Sequence, residues 1–143
     1  MEGIGVKYLL DTAPWINAVT LPQTMPGPVR DLVESNGRVG LCSVSLLEAA
    51  ILHRLGRLQM RAPLAEFFAV ALAANLQLLE LTPGIAVKTN ELPAGFQGDP
   101  FDRAIAATAA LLNLTLITTD PAIRDAKVCE VEYYPFRLSR AQR

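Results

Sequence analysis

The sequence predicts an α/β fold, a three-layer α/β/α sandwich around a mostly parallel sheet of about five strands. Three observations carry this. Short apolar runs of strand length alternate with helix-period segments along the whole chain, the pattern of repeated strand–helix–strand crossovers. Acidic residues recur where those runs hand over to helices. At 143 residues, 51% hydrophobic and 19% charged, the chain has the size and composition of one domain with a single sizeable core.

Residues 6–10 read as a buried strand, uncharged after Lys7. Residues 14–19 make a short helix, and 21–28, with three prolines and a glycine, a loop. A second helix over 29–35 is stopped by Asn36-Gly37, and 38–43 form the second strand. Residues 45–55 give an amphipathic helix ended near Gly56, and 63–75 a helix rich in Ala, Leu and Phe. The third strand spans 76–81, after which Thr82-Pro83 opens a helix reaching Leu92. Residues 93–98 approach an Ala-rich helix over 100–113, and 114–119 form the fourth strand. A short helix at 121–126 precedes a fifth strand at the sheet edge, 128–134. Neither repeat nor linker divides the chain, so residues 1–143 are expected to form one domain with a short basic tail from about 136.

Four carboxylates stand at the predicted strand-to-helix junctions: Asp11, Glu48, Asp102 and Asp120. In an open parallel sheet the ligand crevice lies outside the carboxyl ends of the strands, so acids far apart in sequence converge there. Like charges raise one another's pKa, and a hard cation with oxygen ligands, Mg²⁺ or Mn²⁺, resolves the conflict. Hydrolysis of a phosphodiester is the natural use of such a site. Each acid also has a structural reading as a helix start. Ser45-Leu46-Leu47-Glu48 matches a capping box, Asp99-Pro100-Phe101-Asp102 places an acid at N-cap and another at N3, and Asp120-Pro121 repeats the motif. For Asp11, Thr12 or Ala13 would be the cap, leaving the carboxylate to face the crevice. Four acids at four junctions exceed what capping requires.

The same segments resemble the PIN-domain nucleases, and within them the small VapC-type toxins of prokaryotic toxin–antitoxin pairs. The matching runs are Tyr8-Leu9-Leu10-Asp11-Thr12, Ser43-Val44-Ser45-Leu46-Leu47-Glu48, Asp99-Pro100-Phe101-Asp102-Arg103-Ala104-Ile105-Ala106-Ala107 and Leu116-Ile117-Thr118-Thr119-Asp120. The resemblance covers nearly the whole chain. It implies a PIN-like fold and a metal-dependent endoribonuclease. Asp11, Asp102 and Asp120 would hold Mg²⁺ or Mn²⁺, and Glu48 would complete the acidic quartet as a ligand or as the group that orients the attacking water. Asp99, Thr12, Arg103 and Thr118 would be auxiliary, with Arg103 either orienting a neighbouring acid or lying along the helix surface. The implied partners are an RNA substrate and a small cognate antitoxin, with a homodimer as the expected assembly. A catalytically silent PIN-like binding module is the alternative.

Other classes fit less well. A phospho-acceptor receiver wants two adjacent acids after the first strand and a Lys after the last, where this chain has Leu10-Asp11-Thr12 and no Lys directly after the fourth strand. A haloacid-dehalogenase-type phosphatase wants Asp-x-Asp, against Asp11-Thr12-Ala13 here, and no Gly-x-x-x-x-Gly-Lys run cradles a nucleotide triphosphate. Cys42 and Cys129 lack metal-site spacing and read as buried free thiols, while the single His53 reads as a helix-face residue. Net charge is −1, so attraction for RNA must be local; Arg54, Arg57 and Arg61 form one cluster and Arg137, Arg140 and Arg143 another, each equally readable as a solvated face. Trp15, Met25, Phe67 and Phe68 suit either a docking surface or the core. No uncharged stretch is long and apolar enough to span a membrane and the first residues lack a secretory pattern, so a cytoplasmic protein is expected.

Overall fold

Alternation of side chains along the central strands creates the layers. Leu9 and Leu10 are both buried but belong to different hydrophobic clusters, as do Leu116 and Ile117, because successive strand residues point to opposite faces of a sheet. A strand buried on both faces must be covered by helices on both sides. The computed structural model describes residues 5–35, 39–58, 60, 62–72 and 75–138, and within them the helices do so.

The strands are β1 (Tyr8–Leu10), β2 (Val39–Cys42), β3 (Leu76–Leu79), β4 (Thr115–Thr118) and β5 (Val131–Tyr133). Their spatial order is β3-β2-β1-β4-β5, and all four pairings are parallel, so the sheet is wholly rather than mostly parallel. Leu9 pairs with Gly40 on one side and Leu116 on the other, which makes β1 the central strand. The chain builds outward from β1 through β2 to β3, then returns to its other side for β4 and β5. That reversal between β1 and β4 is a topological switch point, where ligand crevices open in doubly wound folds.

The helices are α1 (Thr12–Thr20), α2 (Gly27–Ser35), α3 (Val44–Arg54), α4 (Leu64–Ala71), α5 (Pro83–Glu91), α6 (Pro100–Leu112) and α7 (Pro121–Ala126). On one face Ile85 of α5, Ile105 and Ala106 of α6 and Ile123 of α7 pack against Leu9 and Leu116. On the other, Trp15 of α1, Val29 of α2, Ala49 of α3 and Phe67 of α4 pack with Leu10 and Ile117. Residues 104–109 of α6 are all buried, and the small Ala side chains let that helix lie close to the sheet. The helix ends in Asn113 at φ 58°, a left-handed cap that Asn tolerates better than most residues. No helix among the described residues is long and apolar enough to cross a membrane.

The aromatic residues belong to the core rather than to a free surface. Trp15 and Phe67 are almost fully buried, their rings meeting edge to face at 5.5 Å, and Phe68 stacks on Trp15 at 6.4 Å. The Trp15 indole N–H donates to the Ala71 carbonyl, so the buried ring leaves no donor unpaired. Met25 is buried too. The expected loop at 21–28 contains a short 3-10 turn, Pro22–Thr24, and α2 begins within it at Gly27, earlier than the prolines suggest. Pro28 sits in the first turn of α2, where its missing N–H has no intrahelical partner to lose. β5 is shorter than expected, and Val128 and Cys129 precede it. The Asn36-Gly37 helix stop and Arg38 lie outside the described residues.

One buried polar knot ties the end of the chain to its beginning. Asn17, with no exposed surface, donates to Leu21 O and Thr24 Oγ1 and accepts from the Tyr134 hydroxyl at 2.7 Å. Among the described residues no buried side-chain polar atom is left without a partner. Replacing Tyr134 by Phe would strand Asn17 Oδ1 in the core, at a cost of about 1–3 kcal/mol. Urea unfolding of Tyr134→Phe is expected to show that loss with an unchanged m-value; unaltered stability would mean water reaches Asn17.

Candidate active site

Each acid reaches the crevice through the local structure that its own sequence specifies. β1 runs into α1 without a loop, so Asp11 closes the strand and also caps the helix, its Oδ1 accepting from Thr12 N at 2.8 Å. The expected cap at Thr12 or Ala13 is therefore corrected. Asp11 does both jobs because a carboxylate has two oxygens, and Oδ2 accepts from the Thr118 hydroxyl at the end of β4, 2.7 Å away. Thr118 Oγ1 in turn accepts from Asp120 N at 3.1 Å, and Asp120 Oδ1 caps α7 by accepting from Ala122 N. A side chain on β4 thus links two acids across the switch point.

The capping box expected at residues 45–48 does not form. After β2 the chain enters α3 at Val44, two residues earlier than the box requires, with Ser43 as a cap whose side chain makes no capping bond and instead accepts from Leu81 N at 3.3 Å. Ser45 is fully buried inside the helix and Glu48 lies one turn further on, both turned toward α1. Thr12 Oγ1 donates to Glu48 Oε1 at 2.6 Å and lies 2.8 Å from Ser45 Oγ. Thr12 has one hydroxyl proton, and with Glu48 ionised that proton points at the carboxylate, so Ser45 must donate to Thr12. The chain Ser45 to Thr12 to Glu48 then runs in one direction. Ser45 is the residue that sequence reasoning missed; its position three before Glu48 put both on one helical face, which was the available signal.

At α6 the capping reading of Asp99 holds, since its Oδ1 accepts from Asp102 N at 2.8 Å. Asp102, in the first turn, keeps its own carboxylate free of that task. Gly98 permits this arrangement. A Cβ there would stand 2.7 Å from Asp102 Cβ and 2.9 Å from the Phe96 ring, closer than real contacts. Arg103 neither pairs with an acid nor lies loose on the surface. Its guanidinium donates to the Thr89 carbonyl at 2.7 Å and the Phe96 carbonyl at 3.0 Å, and stands 5.7 Å from the Phe96 ring centre.

Electrostatics bind these positions into one site. Asp11 is 6% exposed, and burial raises its pKa against the opposing hydrogen bonds from Thr118 and Thr12, with Asp120 and Asp99 adding repulsion. Burial pushes Glu48 up to about 7, opposed by the Thr12 hydrogen bond and assisted by Asp11 and Asp99. Asp102 rises to about 7, first from burial and then from Asp99, Asp11, Glu48 and Asp120. The acids feel one another, and among the described residues no cation lowers any of these three. The only ion pair among the described residues, Arg124 with Asp125, is on the surface. No group of three Asp, Glu, His or Cys side chains among the described residues stands in ion-holding geometry as placed. By donor chemistry the set fits a hard divalent cation: oxygen only, partly desolvated and mutually repelling.

The remaining candidates make no hydrogen bond to these acids among the described residues, although Asp11 is close enough to add slightly to the effect of burial on both cysteine thiols. Cys42 and Cys129 are free, and burial pushes both thiols up to about 11. His53 lies on α3 with Nε2 3.1 Å from Ala62 O. Arg54, Arg57 and Arg137 are exposed, while Arg61, Arg140 and Arg143 fall outside the described residues.

Fold and site together define a class: a parallel α/β domain with an acidic crevice at its topological switch point. The chain belongs to the PIN domain family, whose sequence profile matches residues 8–128. It is similar to Ribonuclease VapC22 of Mycobacterium tuberculosis, 31% identical over 118 residues that cover 81% of this chain and 88% of the relative. Its fold is similar to VapBC2 from Rickettsia felis bound to a DNA fragment from their promoter, at TM-score 0.69 and 17% identity over 90% of this chain and 98% of that one. It is also similar to VapBC-5 from Mycobacterium tuberculosis, a member of the VapBC family of toxin-antitoxin systems, at TM-score 0.53 and 23% identity over 92% of this chain and 99% of that one.

A pH dependence follows from the raised carboxyls. A carboxyl whose pKa is higher in the folded state binds its proton more tightly there, so stability falls as pH rises from the unfolded pKa through the folded one. For Glu48 and Asp102 that window runs from reference values of 4.5 and 3.8 to about 7. In EDTA the melting temperature is expected to drop across this range, with Mn²⁺ recovering part of it above the window. A melting temperature that climbs steadily to pH 8 in EDTA would show that the acids do not converge.

Proposed function

We propose that this chain is a divalent-metal-dependent endoribonuclease, the toxin of a toxin–antitoxin pair, working with Mg²⁺ or Mn²⁺. The observation that carries this reading is the set of acids at the strand ends, Asp11, Glu48, Asp102 and Asp120, three of them with raised pKa and none with a cationic partner among the described residues. Family membership and the VapC22 relative support the ribonuclease assignment. The PIN family is generally divalent-metal dependent, and an oxygen-only donor set favours a hard ion.

Asp11, Asp102 and Asp120 are the residues to hold the metal. When bound, it supplies charge neutralisation at the phosphate and a lowered pKa for the attacking water. The protein's part is placement. Thr118 and the first turn of α1 fix both Asp11 oxygens, while Ser45 and Thr12 hold Glu48 where it can serve as a ligand or orient the water. Asp99 shapes the turn that delivers Asp102. Residues 1–143 act as one domain, with a short basic tail from about 136. Similarity to members of the VapBC systems supports a small cognate antitoxin as partner, and we place the protein in the cytoplasm as a homodimer.

Purified protein incubated with total RNA and Mn²⁺, Mg²⁺ or EDTA tests this. Metal-dependent fragments are expected from the wild type and not from Asp11→Asn. Asn keeps an oxygen for Thr12 N and offers an amide to Thr118, whose hydroxyl can turn to accept, so the variant should fold. Losing a buried carboxylate with raised pKa, it should also melt at or above the wild-type temperature in EDTA at pH 7.5. Full cleavage by that folded variant would remove Asp11 from the mechanism.

A further inference from the structure

The segments that deliver the acids also enclose a cleft. A hollow of about 350 Å³ lies between the stretch joining α5 to α6 and the first turns of α7, lined by Pro93, Gly95, Phe96, Gln97, Ala122 and Asp125. Gln97 is two residues before Asp99, and Ala122 two after Asp120, with its N–H bonded to that acid. The cleft is therefore continuous in sequence, on both walls, with the acidic crevice. Phe96 is buried and forms the floor, whereas Pro93, Gly95, Gln97, Ala122 and Asp125 are exposed at the walls and rim. That floor is fixed by Arg103, which bonds the Phe96 carbonyl and lies over the ring, and by Gly98 packed between the ring and Asp102. Floor and Asp102 are packed against the same glycine.

We infer that this cleft, between the 93–97 segment and α7, receives a nucleobase of the RNA strand next to the scissile phosphate. The inference rests on the ribonuclease reading above. Small-molecule sites are mostly apolar, with a few polar groups that fix orientation, and span roughly 300–1,000 Å³. Here the apolar part is Pro93, Phe96 and Ala122, and the polar part is the Gln97 amide, a donor–acceptor pair suited to a base edge, beside an Asp125 carboxylate that Arg124 already engages. Sequence-specific proteins read RNA from single-stranded, unstacked bases inserted into such slots. An acidic crevice that repels phosphates gains from a neutral handle on the same strand. The cleft offers one on the segments that lead into Asp99 and out of Asp120.

The test uses isotope-labelled full-length protein, two-dimensional NMR and the monophosphates of A, C, G and U, with ribose phosphate as the baseless control. At least one nucleotide is expected to shift the amides of Gly95, Gln97 and Ala122 where ribose phosphate does not, and Ala122→Trp, which fills the cleft from an exposed position, should lose those shifts. The milder Gln97→Ala keeps the cleft open and should change which base shifts it most. Shifts equal to those of ribose phosphate for all four nucleotides would overturn the inference and leave the cleft to a different occupant. In a second arm, random-sequence RNA is cut with Mn²⁺ present; the base preference beside the cut should flatten about tenfold in folded Ala122→Trp, the scale of one base contact. An unchanged preference would also overturn it. Absence of cleavage by the wild type together with base-specific shifts would count against the ribonuclease reading and for the cleft.

Discussion

The Asp11 carboxylate, buried at the end of the central strand with no cation beside it among the described residues, is the constraint around which the other site residues are arranged. A lone buried carboxylate either protonates or collects hydrogen bonds and positive charge. Asp11 collects two hydrogen bonds, one from the first turn of α1 and one from Thr118. Those bonds oppose the rise in its pKa without cancelling it. What is left over is an unmet demand for positive charge at the switch point of the sheet. A site that met the demand internally would be more stable.

The parallel topology turns that local demand into a shared one. Because β1, β2, β3, β4 and β5 all run the same way, every strand delivers its successor residues to the same edge of the sheet. With β1 in the middle, Asp11 lies between the β2–α3 junction that supplies Ser45 and Glu48 and the β4–α7 junction that supplies Thr118 and Asp120. The hydroxyls Thr12, Ser45 and Thr118 are the mortar. Each is a neutral group that can sit between carboxylates where a second acid could not, and the three are nearly without exposed surface. They hold the acids in place while leaving the net charge of the site unaltered.

Much of the fold was legible because its signals are local. Apolar runs gave strands within a few residues, and Thr82-Pro83, Asp99-Pro100 and Asp120-Pro121 located three helix starts, each confirmed by a cap bond. Two readings failed where two local motifs competed for the same residues. Ser45 and Glu48 fit a capping box, but α3 starts at Val44, and their side chains turn to Thr12, thirty-three and thirty-six positions away in sequence. Asp11 was given to the crevice and denied the cap, although one carboxylate serves both. Capping statistics treat an acid as having a single use. A buried junction spends each oxygen separately, and only the three-dimensional neighbours show how.

Arg103 shows why the arrangement stays acidic. Its position next to Asp102 suggested an ion pair, and such a pair would have lowered the Asp102 pKa and neutralised part of the set. Instead the guanidinium faces away, satisfying the carbonyls of Thr89 near the end of α5 and Phe96 in the stretch before α6. Those carbonyls hold the cation by hydrogen bonds without being charged themselves. Arg103 therefore braces the backbone on which Asp102 sits while contributing no positive charge that lowers the Asp102 pKa, which stays at about 7 under burial and the neighbouring acids. An arginine in that role braces the backbone beside the acids without neutralising them.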